Sequence, residues 1–256
     1  MTRQGRRTTI LVAVVVALGL AAIGETLRDR RNALRPLVDP APRRVAEVAL
    51  GCAQCTERRF RRIGGHWVMV APWNVPADVE SMERVLGLPA TPVRRRFGSA
   101  RVDPATLGLA PPFATVDLDA LRIEFGTTDA IDNLRYVRVG DDVALVPDRV
   151  SVVLLAAPER FVDRRPFAGL PGGIAAVEEG DGAWDVDAQA ALADWRAGDV
   201  VAAHFPAAAA RMFTVVDGAG GRHRYALLAG EPARLARETP PLHYALPSGT
   251  ALPVVP

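Results

Sequence analysis

The 256-residue chain is 49% hydrophobic and 23% charged, the make-up of a globular protein with room for one large or two small cores. Nine of its 31 basic residues and three of its 29 acidic ones fall within residues 1–44, so the remainder holds 22 against 26, a net of −4. A folded part of that sign is a poor nucleic-acid binder, and the basic pI belongs to the N-terminal flank. Every basic residue is Arg and none is Lys, which reads as genomic composition bias and not as an arginine-built binding surface.

Thr8 to Ile23 carries no charge and follows Arg3, Arg6 and Arg7. A spanning helix needs roughly 17–25 apolar residues, so the run lies at the short end. It predicts an uncleaved membrane anchor over residues 1–25; cleavage after the small-x-small triplet Gly19-Leu20-Ala21 is the alternative. Arg28, Arg30, Arg31 and Arg35 beyond the span favour the reverse orientation when counted alone. A short head is easily retained, however, and a long domain translocates largely regardless of charge. The expected address is therefore the inner membrane, single-pass, with the C-terminal part in the periplasm. Residues 26–44, with Pro36, Pro40 and Pro42, read as a stem and linker.

Val45 to Leu50 opens the first strand, with Glu57 to Ile63 as its partner. Gly64-Gly65 turns a hairpin into the alternating run His66-Trp67-Val-Met-Val-Ala71. Pro72 and Pro76 end that strand, and Asp78 is a good N-cap for a helix over Val79 to Leu86. Leu107 to Leu118 follows, then Leu121 to Gly126, where Leu121, Ile123 and Phe125 alternate with Arg122 and Glu124 as in a strand with one wet face. Leu134 to Val139, Gly140-Asp-Asp and Val143 to Val146 form another hairpin. Val150 to Ala157 is apolar and rich in β-branched residues, so it reads as extended.

The second half repeats the order: a strand at Gly173 to Glu178, a Gly180-Asp-Gly turn, Trp184, and a helix after Asp187. Hairpin strands at Phe213 to Val216 and His223 to Leu228 follow, then Arg234 to Arg237 and Leu242 to Leu246. The fold expected is α+β: a transmembrane helix, then two tandem β-rich units over 45–150 and 151–256, each an antiparallel sheet with one short helix. Trp67 and Trp184 occupy corresponding places in that repeat, as core indoles would.

Gly65-His66-Trp67 through Pro72, Pro76-Ala77-Asp78, Leu107-Gly108-Leu109 with Pro111-Pro112, and Tyr136-Val-Arg-Val before Val143 to Val146 carry a resemblance. Over roughly Val45 to Tyr244 the chain resembles the membrane-anchored domain of unknown function 4340 family, found near gliding-motility-type ABC transport genes in bacteria. The shared motifs are structural, and the resemblance supplies no catalytic residues. This chain is shorter than is usual there, with abbreviated helices after Asp78 and Asp187.

Cys52-Ala-Gln-Cys55 lies between two strands and not at the start of a helix, which disfavours a redox CxxC. Zinc would need two further ligands, and no second Cys or His pair stands nearby. A local loop disulfide suits an oxidising compartment; free thiols and a metal or redox pair are the alternatives. His66, His204, His223 and His243 form no metal-ligand spacing, and neither a GxSxG elbow nor a P-loop is present. No cofactor is expected. Asp141-Asp142 and Glu178-Glu179 sit in turns, where solvation explains them. The expectation is a non-enzymatic, membrane-anchored envelope protein, an accessory or interaction subunit of an ABC-type transport or motility system with envelope protein partners. A periplasmic glycan- or lipid-binding module is the second reading, and an unrecognised hydrolase the third.

Overall fold

The computed structural model describes residues 35–42, 44–98, 102–149, 151–207 and 211–250. The expected membrane anchor and the start of its stem lie outside the described residues. Among the described residues no helix is long and apolar enough to cross a membrane.

Two antiparallel sheets carry the fold. The first contains β1 (Glu47–Cys52), β2 (Arg58–Ile63), β3 (His66–Ala71), β4 (Val75–Pro76), β5 (Arg95–Gly98), β6 (Ala114–Leu118), β7 (Leu121–Thr128), β8 (Leu134–Val139) and β9 (Asp142–Pro147). Its order is β4-β3-β2-β1-β6-β7-β8-β9-β5. The second contains β10 (Ile174–Glu179), β11 (Gly182–Ala183), β12 (Asp199–Ala202), β13 (Arg211–Asp217), β14 (Arg222–Leu228), β15 (Arg234–Arg237) and β16 (Leu242–Ala245), in the order β11-β10-β13-β14-β15-β16-β12. The helices are α1 (Val79–Leu86), α2 (Ser151–Leu154) and α3 (Val186–Ala193).

The α+β expectation is corrected by this count. Among the described residues sixteen strands stand against three α-helices of eight, four and eight residues, so the described fold is mainly β. The physical reason is that period-two alternation runs through most of the chain. Val116 lies between Leu50 and Ile123 on neighbouring strands, and all three are fully buried on one face.

The two sheets share a strand permutation. β13-β14-β15-β16 occupies the places of β6-β7-β8-β9, and the strand after each eight-residue helix crosses to the far edge to pair with the last strand. By position and direction β10 takes the place of β1, antiparallel to the first strand of the meander. β11 then takes the place of β2, and β3 and β4 are additions to the first sheet. Trp67 lies on β3 whereas Trp184 directly follows β11, so the two indoles hold different strand positions.

The outer edge of β4 is closed by the segment that joins the sheets. Ala77 bridges Val162, the Asp78 N–H donates to the Phe161 carbonyl at 2.7 Å, and the Asp163 N–H donates to the Pro76 carbonyl at 2.9 Å. A single core follows from that join. Phe161 packs on Phe60 at 5.2 Å between centroids, and Phe167 packs on Tyr225 at 4.9 Å. The expected extended run before it is instead the helix α2 over Ser151–Leu154. The Asp148 carboxylate accepts from both the Ser151 N–H and its hydroxyl, a local cap that overrides β-branched propensity.

Arg58 is fully buried on β2, beneath this connector. It donates to the Ala156 carbonyl and lies 5.9 Å from the Phe161 ring centre, while Nε and Nη2 have no partner among the described residues. Burial pushes its pKa down. A buried charge without a counter-ion opposes folding, so Arg58→Met is expected to raise the thermal midpoint. A drop in its place would show that the hydrogen bond to Ala156 and the contact with the Phe161 ring outweigh the cost of burying the charge.

Candidate functional site

The Pro76-Ala77-Asp78 corner builds the most developed surface feature. Asp78 is extended at φ −66° and ψ 122°, and its carboxylate accepts from the Ser81 N–H at 2.9 Å, satisfying one of the free donors at the start of α1. Ser81 then donates its hydroxyl to the Arg160 carbonyl at 3.0 Å, tying the helix to the connector. Met82 and Val85 turn into the core, which leaves Val79 59% exposed at the first turn.

A groove of about 750 Å³ opens beside this helix. One wall is α1, through Val79, Met82, Glu83 and Leu86; another is the β2–β3 hairpin, through Ile63, His66, Trp67 and Val68; the third is the connector, through Asp163, Arg165 and Ala168. Gly169 completes that third wall with φ +76°, and a Cβ there would collide with the Pro76 ring, so only glycine lets the connector approach so closely. Ile63, 52% exposed, and Val79 form an apolar lip over the half-buried Trp67. The charged groups are partly engaged already. Asp163 holds Arg165 in a two-point ion pair, and Arg62 donates to the Gly65 carbonyl.

The other residues singled out in the sequence do not converge here. Cys52 and Cys55 are joined in a disulfide, with Cα atoms 5.2 Å apart, that closes the β1–β2 turn. Pro72 is an exposed cis proline after β3. Ala77 is buried at its bridge to Val162. Trp184 belongs to the second sheet and is buried. Its indole N–H donates to Glu179 at 2.9 Å, and the Arg211 guanidinium lies 4.9 Å over its ring while chelating the same carboxylate. His66 and His204 are exposed. His223 pairs with Asp217 at 2.8 Å, and His243 donates to the His204 carbonyl. Among the described residues no group of three or more His, Cys, Asp or Glu side chains could hold a metal ion.

Every carboxyl with a perturbed pKa is pushed down. Arg135 holds Asp148 below the usual carboxylate range against the opposing effect of burial, Arg211 does the same to Glu179, Arg222 to Glu178 and His223 to Asp217. Asp217 also accepts from the N–H groups of Ala219 and Gly221, which makes the His–Asp pair part of a turn. None of these environments raises a carboxyl toward neutrality, as a general acid would require. The groove is not legible in the sequence because its third wall comes from Asp163 to Gly169, far along the chain from the helix at Val79–Leu86. The exposed valine at the first turn of a capped helix was its one visible signal.

Comparison with protein-family models, curated proteins and solved structures finds no match.

Trp184→Ala is expected to cost about 3–5 kcal/mol in denaturant unfolding, since it leaves a cavity and strips partners from Glu179 and Arg211. Trp67→Ala should cost clearly less, its ring being half exposed in the groove. Asp148 supplies a pH test. Its folded-state pKa is depressed, so its contribution is fully present above the unfolded value of about 4 and disappears as pH falls through the folded value. The stability deficit of Asp148→Asn at pH 7 should therefore shrink in acid; a deficit constant with pH would remove the ion pair from the account.

Proposed function

We propose that the protein is a non-catalytic, membrane-tethered envelope module, an accessory subunit of an ABC-type transport or motility system, whose groove beside α1 receives a partner protein. The groove itself carries the reading. It brings exposed Ile63 and Val79 together with a half-buried Trp67 on the rim of a concave surface. The occupant that fits is a protein segment presenting a row of apolar side chains, docked as a helix lies in a groove. A small polar ligand fits less well, because the Asp163–Arg165 pair and the Arg62–Gly65 contact leave few groups free to converge on one.

The resemblance in the Trp67-to-Asp78 stretch and the apolar run Thr8 to Ile23 support the tether and the envelope address. Confinement near the bilayer raises the module's effective concentration for membrane partners, so a modest groove suffices. A glycan-binding alternative has one observation in its favour, a cavity at the β5 edge that includes Phe97 and Tyr136. Those rings contact each other edge-on at 6.5 Å between centroids, so neither offers an isolated platform.

The test is site-specific photo-crosslinking of the full chain in its native membrane. A photoreactive residue at Val79 should give one discrete adduct that weakens in the Trp67→Ala background, whereas the same residue at Arg224 on the second sheet should not. Deletion of residues 1–25 with export retained should abolish the adduct while leaving the fold intact. Equal crosslinking at both positions, or turnover of a substrate by the isolated chain, would overturn the reading.

A further inference from the structure

A second surface lies on the other flank of α1, at one end of the first sheet. The end of β7, the start of β8, the end of β9 and the start of β5 meet there, because Leu134 pairs with Pro147 and Arg95 with Leu145. The stem arrives at the same place. Pro36 bridges Pro92, the Val93 N–H donates to the Arg35 carbonyl at 2.9 Å, and Arg96 donates to the carbonyls of Pro36 and Leu37. Arg35, the first described residue of the chain, therefore sits at this end.

Two kinds of side chain are left over here. Several other arginines of this sheet are matched to carboxylates, Arg61 to Glu47, Arg96 to Asp142, Arg122 to Asp117, Arg135 to Asp148 and Arg138 to Glu124, while Arg58 and Arg62 on β2 donate to carbonyls instead. Arg35, Arg94, Arg95 and Arg149 are exposed and form no ion pair among the described residues; the carboxylates near them are Asp129 and Asp132, Glu83 in the cavity that Arg94 and Arg149 also line, and Asp148, which Arg135 already holds. Asp129 is partly spent on its own loop, accepting from the N–H groups of Ile131 and Asp132. That loop holds Ile131 out in solvent at 89% exposure, and Val152 stands out at 79% just beyond Arg149.

We infer that this end of the sheet is a membrane-apposed surface, on which Arg94, Arg95 and Arg149 meet anionic lipid headgroups and Ile131 enters the interfacial layer. The inference rests on the tether proposed above. Eleven residues separate Ile23 from Arg35, a reach of about 40 Å at full extension and less if any of it is helical. Such a tether holds this end within about 40 Å of the bilayer surface. Arginines without carboxylate partners beside isolated exposed aliphatic side chains are the combination that binds an anionic interface.

The test uses the full chain reconstituted into vesicles of phosphatidylcholine, with and without an equal part of phosphatidylglycerol. Hydrogen exchange of residues 129–133 reads the surface, and retention after an alkaline wash reads the tether. The expected result is retention in both lipids, with slowed exchange only where phosphatidylglycerol is present. Arg94→Gln/Arg95→Gln/Arg149→Gln should reduce that protection on the order of tenfold or more, and Ile131→Ser should reduce it with all the arginines in place. The substituted side chains are exposed, and unchanged exchange in β1 and β6 would confirm the fold. Retention with exchange indifferent to lipid charge would overturn the surface and leave the tether standing. Loss on washing, with protection by phosphatidylglycerol at neutral pH, would overturn the tether and keep the surface. Protection in detergent that grows with protein concentration would mean that a second copy covers this end, and would overturn the inference.

Discussion

The backbone ladder between residues 76–78 and 161–163 is the constraint on which the rest depends. It uses few hydrogen bonds, yet each of its residues has a second task. Asp78 donates its N–H to Phe161 while its carboxylate starts α1, and Ser81 in that first turn reaches back to the Arg160 carbonyl. Phe161, delivered by the ladder, packs on Phe60 in the first sheet, and the chain just beyond it supplies Phe167 to the second. The ladder also covers the β4 edge, which as an open edge would template pairing with another chain.

The readable parts of the sequence were those whose physics is local. Alternation exposed β7, and the Gly64-Gly65 turn fixed the β2–β3 hairpin, because one strand pair and its turn lie within a few residues. α1 was legible at its start, where Asp78 caps it. The short strands β5 and β12 were not read. Four residues such as Arg95-Arg-Phe-Gly98 show no alternation, and such a strand exists only because a distant partner, β9 or β16, offers a free edge. α2 was misread for the opposite reason. Its β-branched residues favour a strand, but Asp148, already engaged by Arg135, also caps Ser151 and bends the chain into a helical turn.

The comparison of Trp67 with Trp184 shows how far a motif can mislead about position. Both follow a glycine turn and precede a short helix, which suggests equivalence. Pairing direction decides otherwise: β10 lies antiparallel to β13 as β1 does to β6, so the hairpin before Trp184 answers to β1–β2 and not to β2–β3. The consequence is chemical as well as topological. Trp184 is enclosed by Glu179, Arg211 and the tilted Phe213, whose ring centre is 4.9 Å away, and it serves the core. Trp67 sits one strand further out and helps to form a groove wall. The added strand β3 supplies one wall of the groove, and Pro76 of β4 lines it as well.

The groove and the arginine-bearing end are separated by little more than α1. Glu83 lines the groove on one side and, with Arg84, Leu88, Arg94 and Arg149, a cavity of about 430 Å³ on the other. A helix with its side chains is roughly 10–12 Å across. If the end bearing Arg94 rests on the bilayer, a partner in the groove must reach to within about that distance of the headgroups. That geometry favours the membrane-proximal segment of an integral protein over a freely diffusing periplasmic one. It also gives the lipid contact a role beyond attachment: the tether alone limits distance, whereas a face held against the bilayer fixes which way the groove opens. Orientation of this kind raises the fraction of encounters that can lead to docking, without any tighter contact in the groove itself.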